Sequence, residues 1–152
     1  MLFFKSKKVL KAVANGQVIP LEEVKDEVFS SRMMGDGFAI TNHDGNVYSP
    51  IEGTIESIFP TSHAITIESK SGEKLLVHMG LDTVELKGSP FSIKVKKGQS
   101  IKTGMLLAVM DLSKLRQAQK DATIVVVFPE IADGKLLKKN EIVTLEDNLF
   151  KF

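Results

Sequence analysis

The sequence contains no cysteine, which excludes disulfide bonds, zinc–thiolate sites and thiol chemistry. An excess of charge is missing too, because 20 lysines and arginines stand against 19 aspartates and glutamates, for a net charge of +1. A balanced chain has no general attraction for polyanions. We therefore expect no nucleic-acid partner.

Long hydrophobic runs are also absent from the sequence. No apolar run approaches the ~18 residues that a membrane span requires, and residues 1–4 are not followed by the hydrophobic region and cleavage site of a secretory signal. The chain of 152 residues fits one domain with a buried core and leaves no room for a second catalytic domain. These features predict a soluble, cytoplasmic, monomeric protein.

The first 16 residues differ in composition from the rest of the chain. They contain Lys5, Lys7, Lys8 and Lys11 but no acidic residue. We predict a flexible basic tail over residues 1–16, followed by a domain over 17–152. Apolar residues lie among these lysines, so the alternative is a short amphipathic helix in weak contact with an anionic membrane.

Short apolar runs from Val47 onward predict an all-β fold, an antiparallel sandwich or barrel. Gly, Pro, Ser and Asp separate these runs. One helix is predicted over 112–120, with Asp111 or Ser113 as its cap, and residues 21–31 predict a loop with one turn of helix. The predicted strands are 47–49, 53–59, 64–69, 75–79, 84–86, 91–95, 100–110, 124–128 and 141–145.

Segments 95–104 and 134–142 form a weak internal repeat in which lysines, a glycine and an apolar strand follow one another. Both segments, and residues 49–55, resemble the corresponding part of biotinyl and lipoyl carrier domains. The biotin-attachment lysine between two methionines is absent. The resemblance therefore implies a duplicated, biotinyl-carrier-like hybrid motif without a carried biotin.

Residues 61–88 hold two of the three histidines, His63 and His78. Runs 64–69 and 73–79 flank a segment of turn composition and predict a hairpin. In the simplest register the two histidines are directly opposed, with Cβ atoms ~4.5–5.5 Å apart. The same register would pair two glutamates, so a shift of one or two residues remains open.

The segments around the histidines resemble the glucose-family enzyme IIA of the bacterial sugar phosphotransferase system. They are GDGFAITNHDGNVYSPIEGTIESIFP at 35–60, TSHAITIES at 61–69 and VHMGLDTVELKG at 77–88. The similarity extends from about Pro20 to the C-terminus. Its motifs are specific, because each histidine lies within a run of matching residues.

This resemblance implies that His78 is phosphorylated and that His63 supports the transfer, with Thr61, Gly80 and Asp82 at matching site positions. It implies a phosphotransferase component that accepts phosphate from the phosphohistidine carrier protein HPr and donates it to the IIB domain of a glucose-type sugar permease. Regulatory protein targets are a further expectation. No cofactor is required.

The chemistry of the residues agrees with that expectation. A neutral imidazole can carry a phosphoryl group on one nitrogen while the other donates its proton to an orienting group, for which a backbone carbonyl near Gly80 is the simplest choice. The second imidazole can donate to the phosphoryl oxygens. The plainer alternative is two core histidines beside Ile65 and Leu76. The third histidine, His43, is most simply a turn residue.

Two other functions remain open for the pair. His63 and His78 could hold Zn²⁺, weakly unless a partner supplies a further ligand, and a LytM-like zinc peptidase would need a third protein ligand. A non-catalytic regulatory binding module would need no phosphate transfer at all.

Overall fold

The computed structural model describes residues 8–152, which form antiparallel sheets with a few short helices. This is the all-β class that the sequence predicted. The strands are β1 (Val9–Lys11), β2 (Gly16–Ile19), β3 (Asp36–Thr41), β4 (Asn46–Tyr48), β5 (Gly53–Ile58), β6 (Ala64–Ser69), β7 (Lys74–Met79), β8 (Phe91–Ile93), β9 (Ser100–Ile101), β10 (Leu106–Met110), β11 (Ile124–Phe128), β12 (Lys135–Leu136), β13 (Glu141–Val143) and β14 (Asn148–Lys151). The α-helices are α1 (Glu27–Ser30) and α2 (Leu112–Gln117), and 3₁₀ turns cover Leu21–Glu23 and Thr83–Leu86.

The described strands form one eight-stranded sheet and two three-stranded sheets. The large sheet has the order β13-β2-β3-β11-β7-β6-β5-β9, and the small sheets are β1-β14-β12 and β4-β10-β8. Strand β11 is central and all five of its residues, IVVVF, are buried. An uninterrupted apolar strand is the pattern of a sheet covered on both faces.

Two hydrophobic clusters cover those faces. The larger contains the fully buried Phe38, Phe128 and Phe150 and forms the main core between the sheets. The smaller lies on the opposite face of β11 and includes Phe29 and Val125. Val125 pairs with His78. The smaller cluster therefore packs beside His78, one of the predicted site residues.

The β6–β7 hairpin pairs Ala64, rather than His63, with His78. The predicted direct opposition of the two histidines is therefore wrong by one residue, a shift that the sequence had left open. In the observed register Glu68 lies opposite Lys74. Opposed residues of opposite charge stabilise a strand pair, whereas two glutamates would repel.

The N-terminal prediction needs a larger correction. Strand β1 pairs with β14, and Leu10, Ala12, Val13 and Ala14 are at most 1% exposed. Residues 8–16 are thus part of the folded domain rather than a flexible tail, because their apolar side chains complete the main core. Residues 1–7 lie outside the described residues, so the predicted tail and membrane contact remain untested there.

Two local predictions have different outcomes. The strand predicted over 84–86 is wrong: the chain forms a 3₁₀ turn there, between Asp82 and Lys87, which both have positive φ. The predicted cap of α2 is confirmed, because the Asp111 carboxylate accepts from Lys114 N–H at 3.1 Å. No helix of the described residues is long and apolar enough to cross a membrane.

Candidate active site

The structure brings the two predicted histidines together despite the shifted register. His63 precedes β6 and follows Ser62, whose φ is +57°, while His78 is the penultimate residue of β7. Their ring centroids are 5.0 Å apart, and the rings are nearly perpendicular at 77°. The irregular backbone before β6 therefore places the His63 ring beside that of His78.

A backbone carbonyl orients His78, as the sequence predicted. Nδ1 of His78 lies 2.8 Å from the Gly80 carbonyl oxygen. A carbonyl oxygen can only accept, so the proton is on Nδ1 and the lone pair is on Nε2. Gly80 has a φ of +79°, and an added Cβ would lie 2.5 Å from Thr83 Cγ2. Glycine is required at this position for both reasons.

A side-chain hydroxyl, by contrast, contacts His63. Thr61 Oγ1 and His63 Nδ1 share a hydrogen bond of 2.6 Å. A hydroxyl is both donor and acceptor, so this contact is compatible with a proton on either nitrogen of the ring. His63 is only 7% exposed, and burial lowers the pKa of its imidazole from the ordinary 6.5.

The surroundings of His78 keep its ring neutral near pH 7. Burial lowers the pKa of His78 from 6.5, and the neighbouring His63 lowers it further. The Gly80 carbonyl and the carboxylates of Asp26 and Asp82 raise it, but the net direction is downward. A neutral imidazole has the nucleophilic lone pair that a protonated one lacks. The site therefore presents Nε2 of His78 as a nucleophile.

Comparison with known proteins identifies the family to which the chain belongs. A sequence profile of the phosphoenolpyruvate-dependent sugar phosphotransferase system, EIIA 1, matches residues 8–133. The chain belongs to this family. The matched region begins at Lys8, the first described residue, in agreement with the corrected N-terminus.

The chain is also similar to two individual proteins, one in sequence and one in structure. The chain is 51% identical over 117 residues to the PTS system glucose-specific EIICBA component of Streptococcus pneumoniae serotype 4, a match that covers 77% of this chain but only 16% of that relative. The glucose permease IIA from Mycoplasma capricolum has the same fold, with a TM-score of 0.89, 35% identity and 99% of each chain covered. The predicted β-sandwich class is thereby confirmed.

In this EIIA domain, each site histidine also packs against a phenylalanine that sequence reasoning missed. Phe29, on α1, meets His78 edge-on with centroids 5.0 Å apart. Phe59 meets His63 edge-on at 5.3 Å. Edge-to-face contacts of this kind hold a ring in one orientation. The helical spacing of apolar residues in 21–31 was the available signal for Phe29, and nothing in the sequence near 59 indicated such a contact.

Asp82 acts on the histidine pair, whereas His43 makes its hydrogen bonds elsewhere. Asp82 precedes the 3₁₀ turn with a φ of 56° and makes no capping hydrogen bond, so it acts on His78 through its charge. His43 bonds elsewhere, since its Nε2–H donates to the Ala122 carbonyl at 2.6 Å and its Nδ1 accepts from Gly45 N–H at 3.0 Å. That bonding fits the predicted turn role.

The pair offers two ligands to a metal ion. Within residues 8–152, no group of three or more His, Cys, Asp or Glu side chains is placed to hold one. Zinc in proteins takes four ligands in structural sites and three protein ligands in catalytic sites. The zinc peptidase alternative therefore has no third ligand among the described residues.

Proposed function

We propose that the chain is a phosphoryl carrier that accepts a phosphoryl group from the phosphohistidine of HPr on Nε2 of His78 and passes it to the IIB domain of a glucose-type sugar permease. The observation that carries the proposal is the 2.8 Å contact between His78 Nδ1 and the Gly80 carbonyl. It leaves Nε2 as the nucleophilic nitrogen. Family membership and the two glucose-system relatives support the same assignment.

The proposed reaction is a direct displacement at phosphorus. The Nε2 lone pair of His78 forms a new N–P bond, the N–P bond of the donor breaks, and its electron pair returns to the donor nitrogen. The proton of His78 stays on Nδ1 and keeps its hydrogen bond to the Gly80 carbonyl oxygen. Phosphoryl transfer has a loose transition state, in which catalysis consists mainly of positioning and charge stabilisation. The fixed His78 ring supplies the positioning.

In this proposal His63 stabilises charge on the phosphoryl oxygens. When the Thr61 hydroxyl donates to Nδ1 of His63, the ring proton is on Nε2, where it can be donated to a phosphoryl oxygen. A donor already in place when charge develops costs no reorganisation. This arrangement needs no metal ion.

The proposal also accounts for the release of the phosphoryl group. Phosphorylation adds nearly two negative charges, and the carboxylates of Asp26 and Asp82 are close enough to act on the charge of His78. Repulsion between like charges raises the energy of the phosphorylated state. We infer that this repulsion keeps the N–P bond reactive, as a carrier requires.

Exposed apolar side chains on the segments that flank the pair suit transient docking. Val28, Phe59 and Val84 are 45%, 38% and 49% exposed. Val28 precedes Phe29 in α1, and Val84 is in the 3₁₀ turn after Asp82. Transient complexes bury small areas, so HPr and the IIB domain can use this surface in turn. Regulatory protein targets, which remain a prediction, would compete for it.

For zinc we propose only weak binding by the isolated chain. His63 and His78 provide two nitrogen ligands, and a tight site would need more from a partner. Isothermal titration with Zn²⁺ alone measures this affinity. Tight, stoichiometric binding by the wild type would contradict the proposal, and weak binding that survives His63→Gln would place the ion away from the pair.

The proposed function is tested by incubating the chain with phosphoenolpyruvate, enzyme I and HPr. We expect one phosphate per chain, base-stable and acid-labile, located on His78 by mass spectrometry. Omitting HPr should prevent labelling, and adding a IIB domain should remove the label. Absence of labelling, or phosphate on His63, would contradict the proposal.

A further inference from the structure

Thr83 is a fully buried polar residue in the turn that follows His78, and its side chain has no role in the displacement described above. Its exposed fraction is 0%. Its hydroxyl donates to the Met79 carbonyl with a separation of 2.6 Å. Its methyl group lies against Gly80, where a Cβ would come within 2.5 Å of it. Thr83 therefore contacts both residues that link His78 to its orienting carbonyl.

The turn that contains this carbonyl has an unusual backbone. Gly80 has a φ of +79° and Asp82 a φ of +56°, so two of three consecutive residues are left-handed. Such a conformation persists only where its surroundings enforce it, above all for a residue other than glycine. Without restraint the turn would relax, and the direction of the Gly80 carbonyl would change with it.

Two sets of contacts restrain the turn. From one side, Gly80 N–H and Leu81 N–H donate to the carbonyls of Thr123 and Asp121, at 2.8 and 2.9 Å. Those bonds fix the amide groups. From the other side Thr83 is the side chain that binds the Met79 carbonyl and covers Gly80. The carbonyl of Gly80 is directed at His78 between these restraints.

We propose that Thr83 is a positioning residue for phosphoryl transfer: its hydroxyl holds the turn so that the Gly80 carbonyl keeps the His78 proton on Nδ1. The kinetic part of this inference rests on the proposed function. If the carbonyl turns away, the ring is free to place its proton on Nε2 instead. That tautomer has no lone pair on Nε2 and cannot accept the phosphoryl group there.

Two substitutions separate the hydroxyl from the shape of the side chain. Thr83→Val keeps the branched shape and removes the donor. Thr83→Ser keeps the donor and removes the methyl group. Neither introduces a larger side chain, so both are compatible with the turn. Val143→Ala, in β13 and 1% exposed, is a control for loss of buried contacts away from the histidine pair.

The first measurement is the ¹⁵N chemical shifts of the His78 ring, recorded without any phosphate donor. We expect a single Nδ1–H tautomer in the wild type, in Thr83→Ser and in Val143→Ala. In Thr83→Val we expect a mixture of tautomers and faster exchange of the Nδ1 proton. A wild-type spectrum of His78 in Thr83→Val would overturn the proposal.

The second measurement is the single-turnover rate of phosphate acceptance from HPr, well below the melting temperature of each variant. We expect Thr83→Val to be about tenfold slower, less than the ~10²-fold that a 1 Å misplacement can cost, and Thr83→Ser to recover most of the rate. Equal losses in both variants would assign the effect to packing and overturn the role of the hydroxyl. A slow Thr83→Val with an unchanged tautomer would also overturn it.

The two measurements distinguish this inference from the proposed function. If wild-type protein accepts no phosphate, the proposed function fails while the tautomer comparison still decides the role of Thr83. If wild-type protein accepts phosphate and the Thr83→Val tautomer is unchanged, only the inference fails.

Discussion

His63 and His78 lie side by side, yet different chemical groups orient them. A backbone carbonyl contacts Nδ1 of His78, whereas a threonine hydroxyl contacts Nδ1 of His63. The carbonyl can only accept a proton, so one tautomer of His78 is fixed. The hydroxyl can donate or accept, so His63 can change its tautomer or gain a proton without losing its partner.

This difference suits the unlike roles that we propose for two identical side chains. A nucleophile benefits from a permanent lone pair at one nitrogen, which the Gly80 carbonyl provides. A group that stabilises changing charge benefits from an orienting partner that adapts, which the Thr61 hydroxyl provides. The changes below test this difference, beginning with those expected to have the largest effect.

Deleting residues 1–16 should unfold the domain and so abolish the site around both histidines. The deletion removes β1 and the buried Leu10 and Val13. Large buried side chains contribute ~2–5 kcal/mol each, against a total stability of ~5–15 kcal/mol. Circular dichroism and thermal melting would measure the loss. The matched control deletes only residues 1–7 and should leave acceptance unchanged, and a folded, active 17–152 fragment would contradict the burial argument.

His78→Gln should abolish phosphate acceptance, because no other side chain within residues 8–152 presents a nucleophile at this position. Mass spectrometry after incubation with phosphoenolpyruvate, enzyme I and HPr measures the loss. A melting temperature close to that of the wild type would establish that the domain is still folded. Acceptance at the wild-type rate would reverse the roles assigned to the two histidines.

His63→Gln should separate acceptance from donation. Glutamine keeps an N–H donor, so His78 still accepts phosphate. Glutamine lacks the rigid ring and cannot gain charge, and the loss of one preorganised donor typically costs ~10²–10³ in rate. We therefore expect a phosphorylated protein that donates slowly to a IIB domain, measured by rapid quench. Equal slowing of both steps would mean that His63 has no special part in donation.

Thr61→Val should reduce donation by about tenfold, a milder effect because the imidazole of His63 remains. The substitution keeps the size of the side chain but removes the 2.6 Å hydrogen bond to Nδ1. Thr61→Ser is the control and should recover the rate. ¹⁵N shifts should change for His63 in the valine variant and stay constant for His78. A change in the ¹⁵N shifts of His78 but not of His63 would mean that Thr61 does not orient His63 specifically.

The pH dependence should be the smallest effect. Burial, then the neighbouring His63, lowers the pKa of His78 below 6.5, so acceptance should persist as pH falls through 6.5 and decline only at lower pH. Removing that neighbour in His63→Gln should raise the pKa of His78 and move the decline to higher pH. Acceptance rates of both proteins from pH 5 to 8 would test this. Identical profiles would exclude coupling between the rings.

The same shifts give the sign of a stability effect. Below pH 6.5 the unfolded histidines bind protons that the folded ones, with their lowered pKa values, do not. Stability must therefore fall as pH decreases through this range. As pH falls through 6.5, the wild type should lose stability relative to His78→Gln, and above 6.5 the difference between their melting temperatures should be constant.

The all-β class and the histidine pair were predictable from sequence because they depend on local patterns: alternating apolar runs, turn residues and a short motif around each histidine. The hairpin register was not, because its turn depends on side chains. Ser69 and Ser71 both donate to the Glu73 carboxylate. This network closes the turn of a register in which core residues oppose each other, Ile65 with Val77 and Ile67 with Leu75, and a pairing one residue away would disrupt that match.

The remaining errors concern contacts between residues far apart in the chain. Residues 1–16 contain four lysines and no acidic residue, a composition typical of a tail, yet β1 pairs with β14 near the other end of the sequence. Phe29 and Thr83 likewise make their contacts, with His78 and with Met79 and Gly80, only in the folded domain. The composition of a segment is a property of that segment alone, whereas its burial depends on which other part of the chain packs against it.

The ion pair between Lys8 and Glu73, at 2.6 Å, joins the first described residue to the turn of the β6–β7 hairpin. Burial alone would raise the pKa of Glu73, but hydrogen bonds from Lys8, Ser69 and Ser71 lower it to about 2, so this attachment keeps its charge in mild acid. Glu73 is at the turn of the hairpin and His78 is five residues further along, about 17 Å away at ~3.3 Å per residue. The contact that holds Lys8, the first described residue, therefore lies at the end of the hairpin remote from the histidine pair.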